Sequence, residues 1–188
     1  MSGDVSVDFL IVGSGIAGLR AAIAVAPHGR VLILTKSSPD AGSTGYAQGG
    51  IAAALGPDDS PERHAADTLA AGAGLCDPAA VEVLTREGVE YVRELIAWGT
   101  AFDRAADGSL DLAHEGAHSV RRVLHAHDAT GREIGRVLAA RALAQPAIDV
   151  RDHATVVQLI ADDGGICGAR FVDADGALHA ARARVTLL

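Results

Sequence analysis

The sequence predicts an α/β fold in which a parallel sheet with surface helices is followed by an antiparallel β-meander. The apolar run from Val7 to Val12 ends at a glycine-rich turn that opens a helical pattern, and a second apolar run, Val31 to Thr35, follows that helix. From Ile148 onward, short β-rich runs alternate with Asp- and Gly-rich turns, which is typical of hairpins. A strand–helix–strand unit followed by hairpins fits an architecture of two or three α/β layers.

The first glycine-rich turn has the spacing that binds a pyrophosphate at a helix N-terminus. It consists of Gly13, Ser14, Gly15, Ile16, Ala17 and Gly18. One glycine would permit the tight turn, one would let phosphates approach the backbone, and one would allow close packing of the helix on the strand. The motif indicates a Rossmann-like unit, although alone it is a weak signal, since a glycine turn need not hold a ligand.

A second glycine-rich loop follows the second predicted strand and strengthens this interpretation. After Gly42 it contains Ser43, Thr44, Gly45, Tyr46, Ala47, Gln48, Gly49 and Gly50. Two such loops suggest one long ligand that is contacted at its phosphates and again further along. Lys36 stands where NAD sites usually carry an acidic residue, which argues against NAD without selecting FAD. The backbone N–H groups of the second loop would suit the polar edge of a flavin ring, so the loop favours FAD.

Local signals predict three further helices. Ser60-Pro61 and Asp77-Pro78 each place an N-cap before a proline, and Gly99 ends the second of these helices. Thr130 and Glu133 have the spacing of a capping box at the start of a third.

Two segments, residues 36–55 and 112–128, show no helical or alternating pattern. Long loops of this kind are usually functional. We therefore look for the ligand-binding chemistry in these two segments.

Composition excludes several classes of function. The net charge is −8, there is no basic stripe to bind phosphates, and only 3% of the residues are aromatic and could stack on bases. The composition therefore argues against nucleic-acid binding. The longest apolar stretches are far shorter than the roughly 20 residues that span a bilayer, and the N-terminus lacks a basic signal region. We expect no membrane association and a cytoplasmic protein, in which Cys76 and Cys167 stay reduced.

The residues quoted so far, with two later segments, resemble the succinate dehydrogenase and fumarate reductase flavoprotein superfamily, and specifically its L-aspartate oxidase family. The resemblance is carried by Lys36 with the run GSTGYAQGGIAA, by residues 71–77 and by residues 114–133. It covers the whole chain but only the N-terminal part of the family's length. It implies that residues 1–188 are the N-terminal portion of the FAD-binding domain, without the capping domain and the C-terminal helical domain. We expect this chain alone to be inactive.

The resemblance implies FAD-dependent oxidation of L-aspartate to iminoaspartate, in which the Cα hydrogen leaves as hydride to flavin N5. Oxygen or fumarate would reoxidise the flavin. The imine would then be handed to quinolinate synthase, on the route to NAD.

Matched position by position, the resemblance assigns the pyrophosphate to the first turn, from Ser14 to Ala17. It assigns the ribose region to Lys36 and the isoalloxazine ring to residues 43–50. Relatives with a covalent flavin have a histidine at the position of Ser43. The serine therefore implies a non-covalent FAD.

Glu115 matches the position of a glutamate in the aspartate oxidases, which implies contact with the substrate amino group. A carboxylate there would attract the α-ammonium group of aspartate and repel the uniform negative charge of succinate. The alternative is a surface carboxylate paired with Arg121 or Arg122. Ala117 stands where the family more often has glycine, a costly exchange if the backbone has positive φ.

Two other interpretations stay open: a dicarboxylate dehydrogenase or fumarate reductase of the same superfamily, and a non-catalytic dinucleotide-binding module. Ser43 and Glu115 argue against the first. The loop histidines do not have the fixed spacing of metal ligands, so we expect no metal. They are His114, His118, His125 and His127.

Overall fold

The computed structural model describes residues 4–39 and 42–188. The helices in this part of the chain are α1 Ile16–Val25, α2 Pro61–Ala71, α3 Pro78–Ala97 and α4 Thr130–Leu143. Its strands are β1 Val5–Val12, β2 Val31–Leu34, β3 Ile51–Ala52, β4 Leu112–Ala113, β5 Val123–Leu124, β6 Ile148–Arg151, β7 Thr155–Asp162, β8 Gly165–Val172 and β9 Leu178–Leu187. The chain divides into two compact units, Met1–Tyr46 with Gly135–Leu188, and Ala47–Ile134.

The first unit is built on a six-stranded sheet with the order β6-β2-β1-β9-β8-β7. Parallel pairing joins β6 to β2, β2 to β1 and β1 to β9. Antiparallel pairing joins β9 to β8 and β8 to β7. The predicted α/β class, with a parallel sheet and an antiparallel meander, is confirmed. The last strand of the meander, β9, also pairs in parallel with β1 and so belongs to both parts of the sheet.

The core of this unit is formed by apolar residues of the central strands. All four residues of β2 are buried, as is typical of an interior parallel strand that is covered on both faces. Leu10, Leu32 and Phe171 are at most 1% exposed and belong to one buried cluster. Small residues let β8 and β9 approach closely, since a Cβ on Gly168 would overlap with the carbonyl oxygen of Ala181.

The second unit contains α2, α3 and a small antiparallel sheet with the order β3-β5-β4. Both predicted helix caps are confirmed. Ser60 Oγ accepts the N–H of Arg63 at 3.2 Å, and Asp77 Oδ1 accepts the N–H of Ala79 at 2.9 Å. These two caps fix where α2 and α3 begin.

The predicted capping box at α4 is wrong in detail, because the helix begins at Thr130 itself. Thr130 Oγ1 accepts the N–H of Ala126 at 3.0 Å, and the carboxylate of Glu133 accepts the N–H of Ala101 at 2.8 Å. The N–H of Glu133 donates to the carbonyl of Ala129. The side chains of Thr130 and Glu133 therefore bind the backbone at Ala126 and Ala101 and do not cap α4.

The segments predicted as irregular contain short regular elements. Residues 36–55 include a 3-10 helix, Ser43–Tyr46, and β3, while residues 112–128 include β4 and β5. Residues 40 and 41 of the first segment, and residues 1–3 of the N-terminus, lie outside the described residues. No helix in the described ranges has both the length and the apolar content needed to cross a membrane.

Candidate functional site

A cavity of about 410 Å³ lies at the carboxyl ends of β1 and β2 in the first unit. In parallel α/β sheets, ligands bind outside the carboxyl ends of the strands, where the strand order reverses. Such a reversal occurs at β1, since β2 flanks it on one side and β9 on the other. The predicted residues in the cavity lining are Gly13, Ser14, Gly15, Lys36, Ser43 and Thr44.

The three glycines of the first turn have three separate physical requirements. Gly13 has φ +108°, a conformation that glycine adopts without cost. A Cβ on Gly18 would overlap with the carbonyl oxygen of Gly13 and would lie 3.3 Å from Ile11 Cγ2. A Cβ on Gly15 would meet nothing within 4 Å, so the space over this residue is open to a ligand.

The N-terminus of α1 is available to bind an anion. The first bond of this turn runs from the N–H of Leu19 to the carbonyl of Gly15, so the N–H groups of residues 16–18 are not used inside the helix. In the described part of the chain no side chain caps α1, and its first turn contains no acidic residue. The partial positive charge of the helix end is therefore free to attract a phosphate group.

Ser14 has a structural role for its side chain that the sequence did not indicate. Its Oγ is hydrogen-bonded to Thr35 Oγ1 at 3.0 Å and donates to the carbonyl oxygen of Pro39 at 3.1 Å. The N–H of Gly13 also donates to the carbonyl of Leu34 at 2.8 Å. The side chain of Ser14 thus holds the turn against the end of β2.

Further cavity residues were missed by the sequence analysis. They are Val12, Leu34, Thr35, Ser37, Ala154, Thr155 and Val156, whereas Gly42 belongs to the predicted second loop. Ala154, Thr155 and Val156 come from a distant part of the chain. These three residues reach the site because β6, which precedes them, pairs in parallel with β2. Just beyond this pairing, the N–H of Ala154 donates to the carbonyl of Thr35 at 2.9 Å. Their place at the site follows from the pairing of β6 with β2, and the four residues of β6 are too few for their sequence pattern to predict that pairing.

The second half of the glycine-rich loop, residues 47–50, is exposed and belongs to the second unit. The carbonyl of Ala47 accepts the N–H of Gly131 at 3.0 Å. A Cβ on Gly50 would overlap with Val123 Cγ1 and with the carbonyl oxygen of Leu124. Gly50 is therefore required for close packing of the loop on β5.

Glu115 lies in the loop between β4 and β5 and is exposed. Its carboxylate has no hydrogen-bond or ion-pair partner among the residues that the structure describes. The predicted alternative, a pairing with a neighbouring arginine, is not found. Arg121 donates to the carbonyl of Leu112 at 3.3 Å, and Arg122 is paired elsewhere. Glu115 is thus free to bind a cationic group.

Arg122 is fully buried and is paired with two carboxylates. Its Nε and Nη2 donate to the two oxygens of Asp59 at 2.9 Å each, and its Nη1 lies 2.8 Å from Asp67 Oδ2. A buried guanidinium is tolerated only when its charge and donors are compensated in this way. Sequence analysis missed this cluster, because Asp59 lies 63 positions from Arg122.

The buried cluster continues into the loop that carries Glu115. Arg122 Nη1 lies 3.2 Å from His118 Nδ1, which must accept because a guanidinium only donates. The N–H and the Oγ of Ser119 each donate to Asp67 Oδ2 at 2.8 Å. These two hydrogen bonds from Ser119, together with Arg122, lower the pKa of Asp67 to about 2.

His64 on α2 packs against this cluster. Its ring centroid lies 5.6 Å from that of His118, and its buried Nδ1 has no hydrogen-bond partner among the described residues. Burial lowers the pKa of His64, and electrostatic interactions with Arg122 and His118 lower it further, against the opposing effect of Asp59 and Asp67. His64 is therefore neutral in the folded protein at neutral pH.

We expect His64 to make the protein less stable as the pH falls below 6.5, the usual pKa of its side chain. In that range the unfolded chain binds a proton that the folded chain does not, so the free energy of unfolding falls by up to about 1.4 kcal/mol per pH unit. His64→Leu should remove this slope, whereas the exposed His28→Leu should not. Urea unfolding at pH 7, 6 and 5 measures it. Equal slopes for wild type and His64→Leu would contradict the expectation.

The ionisable side chains in the described ranges do not form a metal site. Nowhere in these ranges do three or more His, Cys, Asp or Glu side chains gather closely enough to hold a metal ion. Cys76 and Cys167 are both free thiols.

Comparison with known proteins places these observations in a family. The FAD binding domain family matches residues 8–188, and the chain belongs to that family of nucleotide-binding proteins. The expectation of FAD as the dinucleotide is thereby confirmed. Within the family the chain is similar to L-aspartate oxidases, which confirms the resemblance found in the sequence.

Two of these relatives illustrate the degree of similarity. L-aspartate oxidase 2-b, chloroplastic, of Nicotiana tabacum is 52% identical over 158 residues, which are 84% of this chain and 24% of the relative. L-aspartate oxidase of Streptomyces coelicolor is 46% identical over 186 residues, which are 94% of this chain and 32% of the relative. The chain therefore spans a quarter to a third of the length of these relatives.

Among solved structures, E. coli quinol fumarate reductase has a closely similar fold. The TM-score is 0.94 at 33% sequence identity, and the match covers 100% of this chain and 33% of the reductase chain.

Proposed function

We propose that this chain forms the FAD-binding part of an L-aspartate oxidase, which converts L-aspartate to iminoaspartate. The observation that carries the proposal is the free N-terminus of α1 at a glycine-built turn beside the cavity. Similarity to L-aspartate oxidases supports the choice of substrate. FAD, when bound, supplies the ring position that accepts the Cα hydrogen of the substrate as hydride.

The roles of the cofactor-binding residues follow from their chemistry. The backbone N–H groups at the start of α1 bind the pyrophosphate, and Lys36 binds the ribose region. Residues 43–50 contact the isoalloxazine ring. Because the hydroxyl of Ser43 cannot form the bond that a histidine forms in covalent flavoproteins, FAD is held non-covalently.

Glu115 binds the α-ammonium group of the substrate. An unpaired carboxylate supports this role, since it offers a full negative charge to a cation. The same charge opposes a second dicarboxylate and so selects aspartate over succinate.

A fumarate reductase or succinate dehydrogenase type of activity is the second candidate. The fold similarity to E. coli quinol fumarate reductase favours it. Ser43 and Glu115 favour the oxidase. Preference for L-aspartate over succinate as electron donor separates the two.

Oxygen or fumarate reoxidises the flavin, and quinolinate synthase consumes iminoaspartate on the route to NAD. A cytoplasmic location fits the two free thiols, whereas the relative from tobacco is named as chloroplastic.

We expect acid precipitation of the full-length protein to release all of its flavin into the supernatant. Non-covalent FAD leaves when the fold is lost, whereas a covalent flavin stays on the polypeptide. The absorbance of supernatant and pellet near the flavin band measures the distribution, and a covalent flavoprotein treated in parallel is the control. Yellow colour in the pellet would overturn the non-covalent assignment, and a colourless native protein would overturn FAD binding itself.

A further inference from the structure

We propose that a loop anchor built around the buried Arg122 positions Glu115 for binding of the substrate ammonium group. The loop anchor consists of Asp59, Asp67, His118, Ser119 and Arg122. These five are positioning residues, and the proposal deepens the proposed function because it rests on Glu115 as the ammonium contact. The juxtaposition of a buried, compensated guanidinium with the loop that presents an unpaired carboxylate carries the inference.

The loop itself is a tight turn that needs external support. The N–H of His118 donates to the carbonyl of Glu115 at 3.3 Å, and His114 Nε2 donates to the carbonyl of His118 at 2.6 Å. Between them, Ala117 has φ +69°, a left-handed conformation that is unfavourable for a residue with a Cβ. The turn therefore has a conformational cost that contacts outside it must offset.

The loop anchor supplies these contacts. Ser119 is attached through both its N–H and its hydroxyl to Asp67 on α2. His118 is attached through Nδ1 to Arg122, whose guanidinium is fixed by Asp59. The end of the turn is thus held by a side chain of α2 and by a buried arginine.

The loop anchor also carries a net negative charge. Arg122 carries one positive charge, and Asp59 and Asp67 carry two negative charges, so the group has a net charge of −1 when His118 is neutral. The guanidinium donates to these two carboxylates and to His118, and it makes no ion pair with Glu115. A net negative anchor beside Glu115 favours an ammonium group and disfavours a second carboxylate.

The chain contains a matched control for the outermost contact of the anchor. The N–H and the Oγ of Ser109 donate to Asp107 Oδ1 at 2.9 and 2.6 Å, the same double hydrogen bond in a different turn. Ser119→Ala and Ser109→Ala therefore remove the same kind of hydrogen bond from two exposed serines. Only the first change loosens the loop of Glu115.

The test combines ligand binding with a readout that needs no ligand. In the FAD-loaded full-length protein, Ser119→Ala should weaken L-aspartate binding about fivefold and should change succinate binding less than about twofold. The loss is smaller than that of a charge-assisted hydrogen bond to the ligand, because the lost bond joins Ser119 to Asp67 and acts on the ligand only through the loop. Flavin absorbance changes report both affinities. Without ligand, trypsin should cleave after the exposed Arg121 faster in Ser119→Ala than in Ser109→Ala or wild type.

A double-mutant cycle decides whether the anchor acts through Glu115. In a Glu115→Gln background, Ser119→Ala should have no further effect on the ratio of the two affinities. The same effect in both backgrounds, or an equal loss for aspartate and succinate, would overturn the proposal. Failure of the proposed function gives a different pattern: Glu115→Gln alone would leave the affinity ratio unchanged.

Discussion

Gly18→Ala is expected to lower FAD affinity by about 100-fold or more and to destabilise the protein even without FAD. The added Cβ would overlap with the carbonyl oxygen of Gly13, a backbone atom that cannot rotate away. Gly13 is itself tied to the end of β2 through its N–H bond to Leu34. Overpacking of this kind costs about 1–3 kcal/mol, and it moves the N–H groups that bind the pyrophosphate.

Gly15→Ala is the matched comparison. Its Cβ meets no protein atom within 4 Å, and φ of −68° suits alanine. We therefore expect its unfolding free energy without FAD to stay within about 0.5 kcal/mol of wild type, while FAD affinity falls because the methyl group occupies the open space. Flavin fluorescence titration and urea unfolding measure the two quantities. If Gly15→Ala bound FAD as tightly as wild type, the pyrophosphate assignment would be wrong.

Glu115→Gln is expected to weaken L-aspartate binding by about 10- to 100-fold, as for loss of a hydrogen bond between charged groups. The amide keeps the shape of the side chain and removes its charge, so the attraction to the α-ammonium group is lost. Succinate, which has no ammonium group, should bind equally well or more tightly. Glu87→Gln on α3 is the control, because Glu87 is also exposed and lies on a helix outside the loop.

Measurements of ligand affinity and of turnover in the full-length protein distinguish binding of the ammonium group by Glu115 from a purely structural role of this residue. A selective loss for L-aspartate, with fumarate reduction less affected, is expected. An equal loss for aspartate and succinate would make Glu115 a structural residue.

Local features of the sequence were sufficient to predict most of the first unit. Gly13 and Gly18 each impose a backbone or packing requirement that acts within a few residues, and the structure reproduces both. The close approach of phosphates to Gly15 stays a prediction. The caps of α2 and α3 are equally local, since Ser60 and Asp77 bond to N–H groups two or three positions away. Interactions between residues so close in the sequence can be predicted without knowledge of the tertiary structure.

Features that depend on distant partners could not be predicted. In the sequence Arg122 looks like one of two neighbouring surface arginines, whereas its burial depends on Asp59 and Asp67, which come from a different part of the chain. The side chain of Thr130 had the right spacing for a cap but bonds to Ala126 in the preceding turn. The partners of Arg122 and Thr130 depend on tertiary packing and burial, which a local sequence pattern does not determine.

The position of β9 has a consequence for how the sheet assembles during synthesis. β1 pairs with β9 in a register that joins Val5 to Ala181. One edge of β1 therefore stays unpaired until β9, more than a hundred residues later in the sequence, has been synthesised. Until then, the N–H and C=O groups along that edge can pair with other chains. Sheets closed by such distant pairs form slowly and expose the nascent chain to aggregation. Ribosome-bound chains in which residues 178–187 are still inside the ribosome should therefore need chaperone protection that chains with these residues fully emerged do not.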